Sequence, residues 1–211
     1  MPNFDAHYVI GHSHKVCQDY GAVGNNCAVI SDGCSSAEDS DLGSRILSLK
    51  ALDFLSLGLE LTSDEDYELV AANAYSVLAT LGKPFSLEAT LATISLKDGY
   101  VNVHSYGDSV IVAKTDWGFI VDQLEFVDGY PAYPSYLVHP ERVAQYKDVR
   151  GNVRHKLAHY TNDFVNMLRS DVPYSLNHIT RVFTTEEVEW VAIISDGIHS
   201  FRDEEHQSLS L

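Results

Sequence analysis

The sequence has few basic residues and no long apolar run. Its 211 residues include 14 lysines and arginines against 30 aspartates and glutamates, which gives a formal net charge of −16. Because such a charge repels nucleic-acid backbones and anionic membrane surfaces, neither is expected as a partner. No apolar segment is long enough to cross a bilayer, and the first residues lack the pattern of a signal peptide. The sequence therefore predicts a cytoplasmic protein.

Cysteine is also scarce. Cys17, Cys27 and Cys34 are odd in number and lack the spacing of a zinc knuckle. This favours reduced thiols over a disulfide framework and argues against zinc bound through thiolates. The chain contains no internal repeat or low-complexity tract, and its length fits one domain, 1–211.

Apolar residues spaced three and four apart predict three helices, at 39–61, 63–81 and roughly 152–169. Asp39 or Ser40 can cap the first helix. The second helix opens with Ser63 and three acidic residues, which suit a helix N-terminus, and it stops at Gly82.

Shorter apolar segments predict strands at 25–31, 89–96, 100–107, 109–114, 117–121, 179–185 and 188–195. A Lys-Asp-Gly turn at 97–99 joins two of them into a hairpin. Because the strands follow one another as meanders and two helices come together, we expect mainly antiparallel sheets. The predicted class is α+β, with two sheets packed face to face and helices outside.

Four aspartates stand at strand ends or tight turns: Asp19, Asp32, Asp108 and Asp196. Stacked sheets would bring strand ends together at one rim, where carboxylates without a nearby lysine or arginine raise one another's pKa. Oxygen-only ligands favour a hard divalent cation, Mg²⁺ or Mn²⁺. A single Asp-Gly pair is usually an ordinary turn, but here two such pairs follow apolar strands.

Four segments in order, GHSHKVCQDYG, AVISDGCSS with DLGSRIL, ATLATISL with VHSYGDSVIVAK, and WVAIISDGIHSF, resemble the metal-dependent protein phosphatases of the 2C type. The resemblance is particularly to a bacterial branch with a Ser-His and Cys-Gln-Asp opening. The resemblance implies a four-layer α/β/β/α sandwich with a two-metal centre at one rim. It also implies a protein serine/threonine phosphatase that uses two Mn²⁺ or Mg²⁺ ions, with a labile third ion in some relatives, and a phosphoprotein substrate.

Carried over by position, Asp32 resembles the carboxylate that bridges the two metals, and Gly33 offers its backbone carbonyl to one of them. Asp196 would hold the first metal, and Asp19 the second metal largely through water. Asp108 resembles the aspartate that binds the third ion.

The implied reaction is direct attack of a metal-bridging hydroxide on phosphorus. No phosphoenzyme is needed, and no cysteine of this chain has an arginine at the spacing of a cysteine phosphatase loop.

The chain departs from the family pattern at three places. His14 and Lys15 stand where many relatives carry an arginine that grips the substrate phosphate. Cys34 stands where some relatives place a histidine proposed as the acid for the leaving group, so it is a possible acid or redox-sensitive position. By the resemblance, the given sequence is expected to lack the family's last helix and its last strand, which ends in another metal-binding aspartate; a shortened chain, an incomplete sequence and a lost ligand all stay open.

These departures leave an alternative function open, namely a catalytically weak or inactive phosphatase-like module for binding or regulation. The Tyr- and Pro-rich segment 128–146 is either a recognition flap beside the site or a surface loop.

Overall fold

The computed structural model describes residues 3–7, 10, 15–127, 129–145, 153–161, 164–173 and 175–197. The strands are β1 (Asp19–Gly24), β2 (Cys27–Asp32), β3 (Leu91–Lys97), β4 (Tyr100–Tyr106), β5 (Val110–Thr115), β6 (Gly118–Phe126), β7 (Val153–Tyr160), β8 (Val165–Val172), β9 (His178–Thr184) and β10 (Val188–Ile194). The helices are α1 (Ser40–Ser56), α2 (Asp64–Thr80), α3 (Ser135–Val138) and α4 (Pro140–Gln145), with a 3₁₀ turn at Pro84–Ser86.

The strands form two five-stranded sheets. The first has the order β1-β2-β3-β4-β9 and the second β10-β5-β6-β7-β8, with every neighbouring pair antiparallel. Strand β10 of the second sheet faces β2 and β3 of the first, so the sheets stack. The predicted α+β class with two antiparallel sheets face to face is confirmed. The predicted hairpin turn is also present, because Asp98 and Gly99 both have positive φ.

The two long helices lie outside the first sheet. Helix α1 packs on β1 and β2, and α2 packs against α1. Ser63 caps α2 as predicted and forms a reciprocal capping box with Asp66. Asp39 is the N-cap of α1, but it makes no side-chain capping hydrogen bond there.

The third predicted helix is wrong. Val153–Tyr160 and Val165–Val172 are instead the antiparallel strands β7 and β8, paired in register over all eight residues of each strand. The spacing of Val153, Leu157 and Tyr160 fits one face of a helix. In the structure these residues belong to strand β7, where successive side chains lie on opposite faces of the sheet. After β7, the N–H and the hydroxyl of Thr161 both donate to the Phe164 carbonyl, at 2.9 and 3.1 Å.

Two further features of the fold differ from the sequence pattern. Strand β1 has no predicted counterpart, because two of its six residues are glycine and it carries little apolar patterning. The segment predicted as a flap or a surface loop contains the short helices α3 and α4, and α3 packs on α2. No helix in the described part of the chain is long and apolar enough to span a membrane.

Candidate active site

One rim of the sandwich collects the four predicted aspartates. Asp19 begins β1 and Asp32 ends β2, and the two are directly opposite in the antiparallel register. Asp196 follows β10, which ends beside the start of β5. Asp108 lies between β4 and β5, where the chain passes from the first sheet to the second. The antiparallel topology thus places all four at the same end of the two sheets.

Asp32 is the centre of this group. Burial raises the pKa of Asp32 to about 10, and the neighbouring carboxylates of Asp19 and then Asp196 contribute to the rise. A Cβ atom placed on Gly197 would lie 4.0 Å from the Asp19 carboxylate, which shows how closely the two strand ends approach. The structure therefore brings Asp19, Asp32 and Asp196 together.

Asp108 belongs to the same cluster. Burial and the carboxylate of Asp196 raise the pKa of Asp108 to about 7. The backbone carbonyl of Asp108 accepts a hydrogen bond from the Gln123 side chain at 3.1 Å. Gly107 precedes it with φ +104, and a Cβ there would lie 2.8 Å from the Thr90 side chain and 3.0 Å from the Ala132 carbonyl. Only glycine fits this approach without strain.

Gly33 is held in a similarly tight passage. Its N–H donates to the Gln18 carbonyl at 3.1 Å, and a Cβ on Gly33 would lie 2.6 Å from the Ser40 carbonyl. The Gln18 side chain donates to the Cys34 carbonyl and to the Ser40 hydroxyl, at 3.3 and 2.8 Å. The loop after Asp32 is therefore fixed by the residue that precedes Asp19.

Thr90 fixes the backbone of Asp32 from the neighbouring strand end. Its N–H donates to the Asp32 carbonyl at 2.9 Å, and its hydroxyl accepts from the Asp32 N–H at 3.2 Å. Sequence reasoning missed both Gln18 and Thr90. The Gln18–Asp19 pair is visible in the sequence. The contact between Thr90 and Asp32 depends on strand register, which the sequence does not show.

Cys34 lies at the edge of the cluster and is partly exposed. Its sulfur lies 3.1 Å from the Ser36 hydroxyl, and its N–H donates to the Glu88 carbonyl at 2.8 Å. Burial and a hydrogen bond with Cys34 raise the pKa of Tyr133, with a smaller effect from Asp108. Tyr133, from the segment before α3, is thus a site residue that the sequence did not indicate.

The two residues predicted to grip phosphate are not tested by the geometry. His14 lies outside the described residues, and Lys15 is exposed, four residues before Asp19. Their role stays a prediction.

The donor chemistry of the cluster suits a hard cation. Its side chains are carboxylates, and no lysine or arginine in the described residues is among the causes that shift the pKa of Asp32 or Asp108. The raised pKa of each of these two carboxyls therefore arises from burial and from neighbouring carboxylates, an environment that a hard cation would relieve. Within the described ranges, no group of three or more His, Cys, Asp or Glu side chains is already arranged around one point as a metal site.

A family model agrees with this arrangement. The model described as Protein phosphatase 2C matches residues 10–125, which is more than half of the chain and runs through most of β6. The chain belongs to the protein phosphatase 2C family. No functionally curated protein matches the sequence significantly.

Solved structures of bacterial phosphatases share the fold. Serine/threonine phosphatase Stp1 from Staphylococcus aureus aligns with a TM-score of 0.54 and 9% identity, covering 92% of this chain and 76% of Stp1. A bacterial serine phosphatase aligns with a TM-score of 0.54 and 9% identity, covering 93% and 78%. The catalytic domain of PstP, solved with two manganese ions, is more distant, with a TM-score of 0.42, 13% identity and coverage of 71% and 73%. At such identities, the likeness to Stp1 and the serine phosphatase establishes the fold of this 2C-type phosphatase chain and nothing finer.

Proposed function

We propose that this chain is a Mn²⁺- or Mg²⁺-dependent phosphomonoester hydrolase that acts on phosphoserine or phosphothreonine in proteins. The observation that carries the proposal is the placement of Asp32, partly buried at a strand end between the carboxylates of Asp19 and Asp196. Membership of the 2C family supports the same reaction.

In this proposal Asp32, Asp19 and Asp196 hold two cations together with the Gly33 carbonyl, and Asp108 holds a third. When bound, the cations lower the pKa of a water molecule for attack on phosphorus and offset charge on the phosphoryl oxygens. The protein's part is placement. Thr90 and Gln18 fix the loop around Asp32, so that its carboxylate and the Gly33 carbonyl are held at the rim.

The protonation of Asp32 follows from its surroundings. With its pKa raised to about 10, the Asp32 carboxyl holds a proton at neutral pH until a cation takes the proton's place. Cation binding is therefore expected to release a proton and to tighten as pH rises. Lys15 and His14 are proposed to contact the substrate phosphate, and Cys34 to stand beside the leaving group or to serve as a redox-sensitive position.

Hydrolysis assays test the proposal. The chain should hydrolyse p-nitrophenyl phosphate and a phosphothreonine peptide with Mn²⁺, and Asp32→Ala should reduce kcat/KM at least about a hundredfold because a principal ligand is lost. Asp116→Ala is the matched control, since Asp116 lies exposed in the turn after β5, at the opposite rim from Asp108. An inactive wild type, or activity that survives Asp32→Ala, would refute the proposal.

Calorimetry separates the enzyme from the alternative, a phosphatase-like binding module. Cys34, a thiol in a position where an acid is needed, is the observation that favours the module. A catalytic centre should take up two Mn²⁺ ions with release of protons. Uptake of one ion or none, together with absent turnover, would favour the module.

A further inference from the structure

Strand β8 is the most exposed of the described strands. All seven residues from Val165 to Asp171 are exposed, on both faces of the sheet. The strands at the other three sheet edges, β1, β9 and β10, are partly or fully buried at most positions. Three large apolar side chains are prominent, with Val165 57% exposed, Met167 43% and Leu168 62%. Such a strand is unusual on a soluble domain.

The backbone of β8 is open to a further strand. It ends the second sheet, and in the described part of the chain only β7 pairs with it. The register with β7 is regular over all eight residues, so no bulge turns the edge away. The strand, with sequence VNMLRSDV, also lacks the proline, glycine and lysine that commonly protect an edge.

Charge favours a second copy of this chain as the occupant. The whole chain carries a net charge of −16, so most surfaces of two copies repel each other. Arg169 and Asp171 cancel within β8. Arg154 on β7 pairs with Asp171 and with Glu125 on β6, and Lys156 on β7 also pairs with Glu125. The repulsion between copies is therefore weak at this edge.

We propose that β8 pairs antiparallel with β8 of a second copy, with Ser170 on the two-fold axis. In this register Arg169 of each copy lies directly opposite Asp171 of the other. On the other face, Leu168 lies opposite Val172 of the second copy. Both contacts occur twice because the interface is isologous, and opposite charges at directly facing positions stabilise an antiparallel pair.

The neighbouring registers are less favourable. With Arg169 on the axis, the Arg169 guanidinium of one copy would face the Arg169 guanidinium of the other, so like charges would lie together. With Leu168 on the axis, Val165 would face Asp171 and Met167 would face Arg169, so apolar side chains would oppose charged ones. Charge matching therefore selects the register with Ser170 on the two-fold axis. Pro173, which has no N–H to donate, comes directly after the paired segment.

Sedimentation of the intact chain over a concentration series tests this pairing. We expect a monomer–dimer equilibrium whose Kd rises on the order of tenfold or more for Arg169→Asp or Asp171→Arg. The double variant R169D/D171R should restore the wild-type Kd. The double variant keeps the balance of charges within each copy. On β7, Lys156 lies opposite residue 169 and Arg154 opposite residue 171, so before and after the swap one β7 cation faces an acid and the other faces a base. Glu189→Arg, at an exposed position of β10 on the other edge of the sheet, should leave Kd unchanged.

A disulfide test reports the register directly. Ser170→Cys should form an intermolecular disulfide on mild oxidation, because directly opposed residues in an antiparallel pair have the Cα separation that a disulfide requires. Asn166→Cys should not form this disulfide, because position 166 of one copy would lie several residues away from position 166 of the other. The wild type shows the background from the native cysteines.

Three results would overturn the proposal: a monomer at all concentrations, a double swap that does not recover dimerisation, or faster cross-linking of Leu168→Cys than of Ser170→Cys. Circular dichroism confirms that each variant is folded. None of these measurements depends on phosphatase activity.

Discussion

His104 is a histidine that the fold keeps neutral. It lies on β4 under helix α2 and is almost fully buried, with Nδ1 3.1 Å from the Thr180 hydroxyl. Burial, with a smaller contribution from nearby His178, lowers the pKa of His104 to about 4, while Asp66 opposes the shift. In the described residues, its Nε2 and the hydroxyl of Tyr67 are buried without a hydrogen-bond partner. The layer between α2 and the first sheet is thus partly polar.

This burial predicts sensitivity to acid. The unfolded chain binds a proton at His104 near pH 6.5, whereas the folded chain binds it only near pH 4. The stability from this group is therefore present above about pH 6.5 and is lost as pH falls towards 4. Between about pH 7 and about pH 5 the free energy of unfolding should fall by about 2 kcal/mol from His104 alone.

Urea unfolding of wild type and His104→Gln at the two pH values measures this contribution. His104→Gln should lose most of this pH dependence of the free energy of unfolding. His7→Gln, which changes an exposed histidine, should keep it. An equal pH dependence in wild type and His104→Gln would show that this histidine is not the sensitive group.

Helix α1 carries a glycine in its interior that is required by packing. Gly43 is buried, and a Cβ there would lie 1.7 Å from the Ser86 carbonyl and 2.6 Å from its carbonyl carbon. The 3₁₀ turn at Pro84–Ser86 therefore rests directly on the helix backbone. The same contact holds the chain that leads through Glu88 and Thr90 to the candidate site.

Gly43→Ala should therefore destabilise the protein, although alanine normally stabilises a helix interior. The backbone carbonyl of Ser86 must move away, and overpacking of this kind costs about 1–3 kcal/mol. Chemical denaturation measures the loss, with Asp53→Ala on the exposed side of α1 as the control expected to stay within about 0.5 kcal/mol. A stabilised Gly43→Ala variant would mean that α1 and the turn are not in contact.

The two sheets of the whole molecule are joined by a buried ionic group. Asp122 on β6 is fully buried and accepts hydrogen bonds from Arg181 Nε at 2.5 Å and from His155 Nε2 at 2.7 Å. Asp122 and His155 belong to the second sheet, and Arg181 to β9 of the first. Burial of a carboxylate is costly unless it is paired, so this contact constrains how the sheets stack.

Arg181→Met should destabilise the fold by roughly 3–5 kcal/mol, because it leaves the buried Asp122 charge without its guanidinium. Asp122→Asn in the same background should recover part of the loss, since the unpaired charge is removed. A double-mutant cycle in guanidinium chloride measures the coupling. Arg154→Met, which breaks partly exposed pairs with Glu125 and Asp171, should cost less than about 1 kcal/mol. Equal costs for Arg181→Met and Arg154→Met would contradict this account.

Several elements were predictable because their information is local. The repeating apolar spacing indicates α1 and α2, and Ser63 with Asp66 marks the start of the second. The turn at 97–99 requires positive φ at two positions, which Asp98 and Gly99 tolerate. The two strand ends that precede Asp-Gly pairs are also visible in sequence, and they pointed to the site.

The hairpin at 153–172 depended on tertiary structure. Its apolar residues fit a helical stripe, and β8 is exposed on both faces, so it shows no alternation to read. Pairing with β6 makes β7 a strand. Its partners on β6 lie 27 to 41 residues away in the chain, as in Phe126 opposite Val153 and Phe119 opposite Tyr160, and so distant a neighbour leaves no mark on the local pattern. Strand β1 was missed for the same reason, since pairing with β2 stabilises it.

Part of the candidate site could likewise be predicted from the sequence, and part depended on tertiary structure. The sequence by itself determined which aspartates stand at strand ends and which family they resemble. Only the tertiary structure decided that Asp19 lies opposite Asp32, that Asp196 reaches them from the other sheet, and that Thr90, 58 residues along the chain, fixes the Asp32 backbone. The raised pKa of Asp32 is likewise a property of the assembled rim, because burial and the Asp196 carboxylate arise only when the two sheets stack, and the Asp19 carboxylate comes close only when β1 pairs with β2.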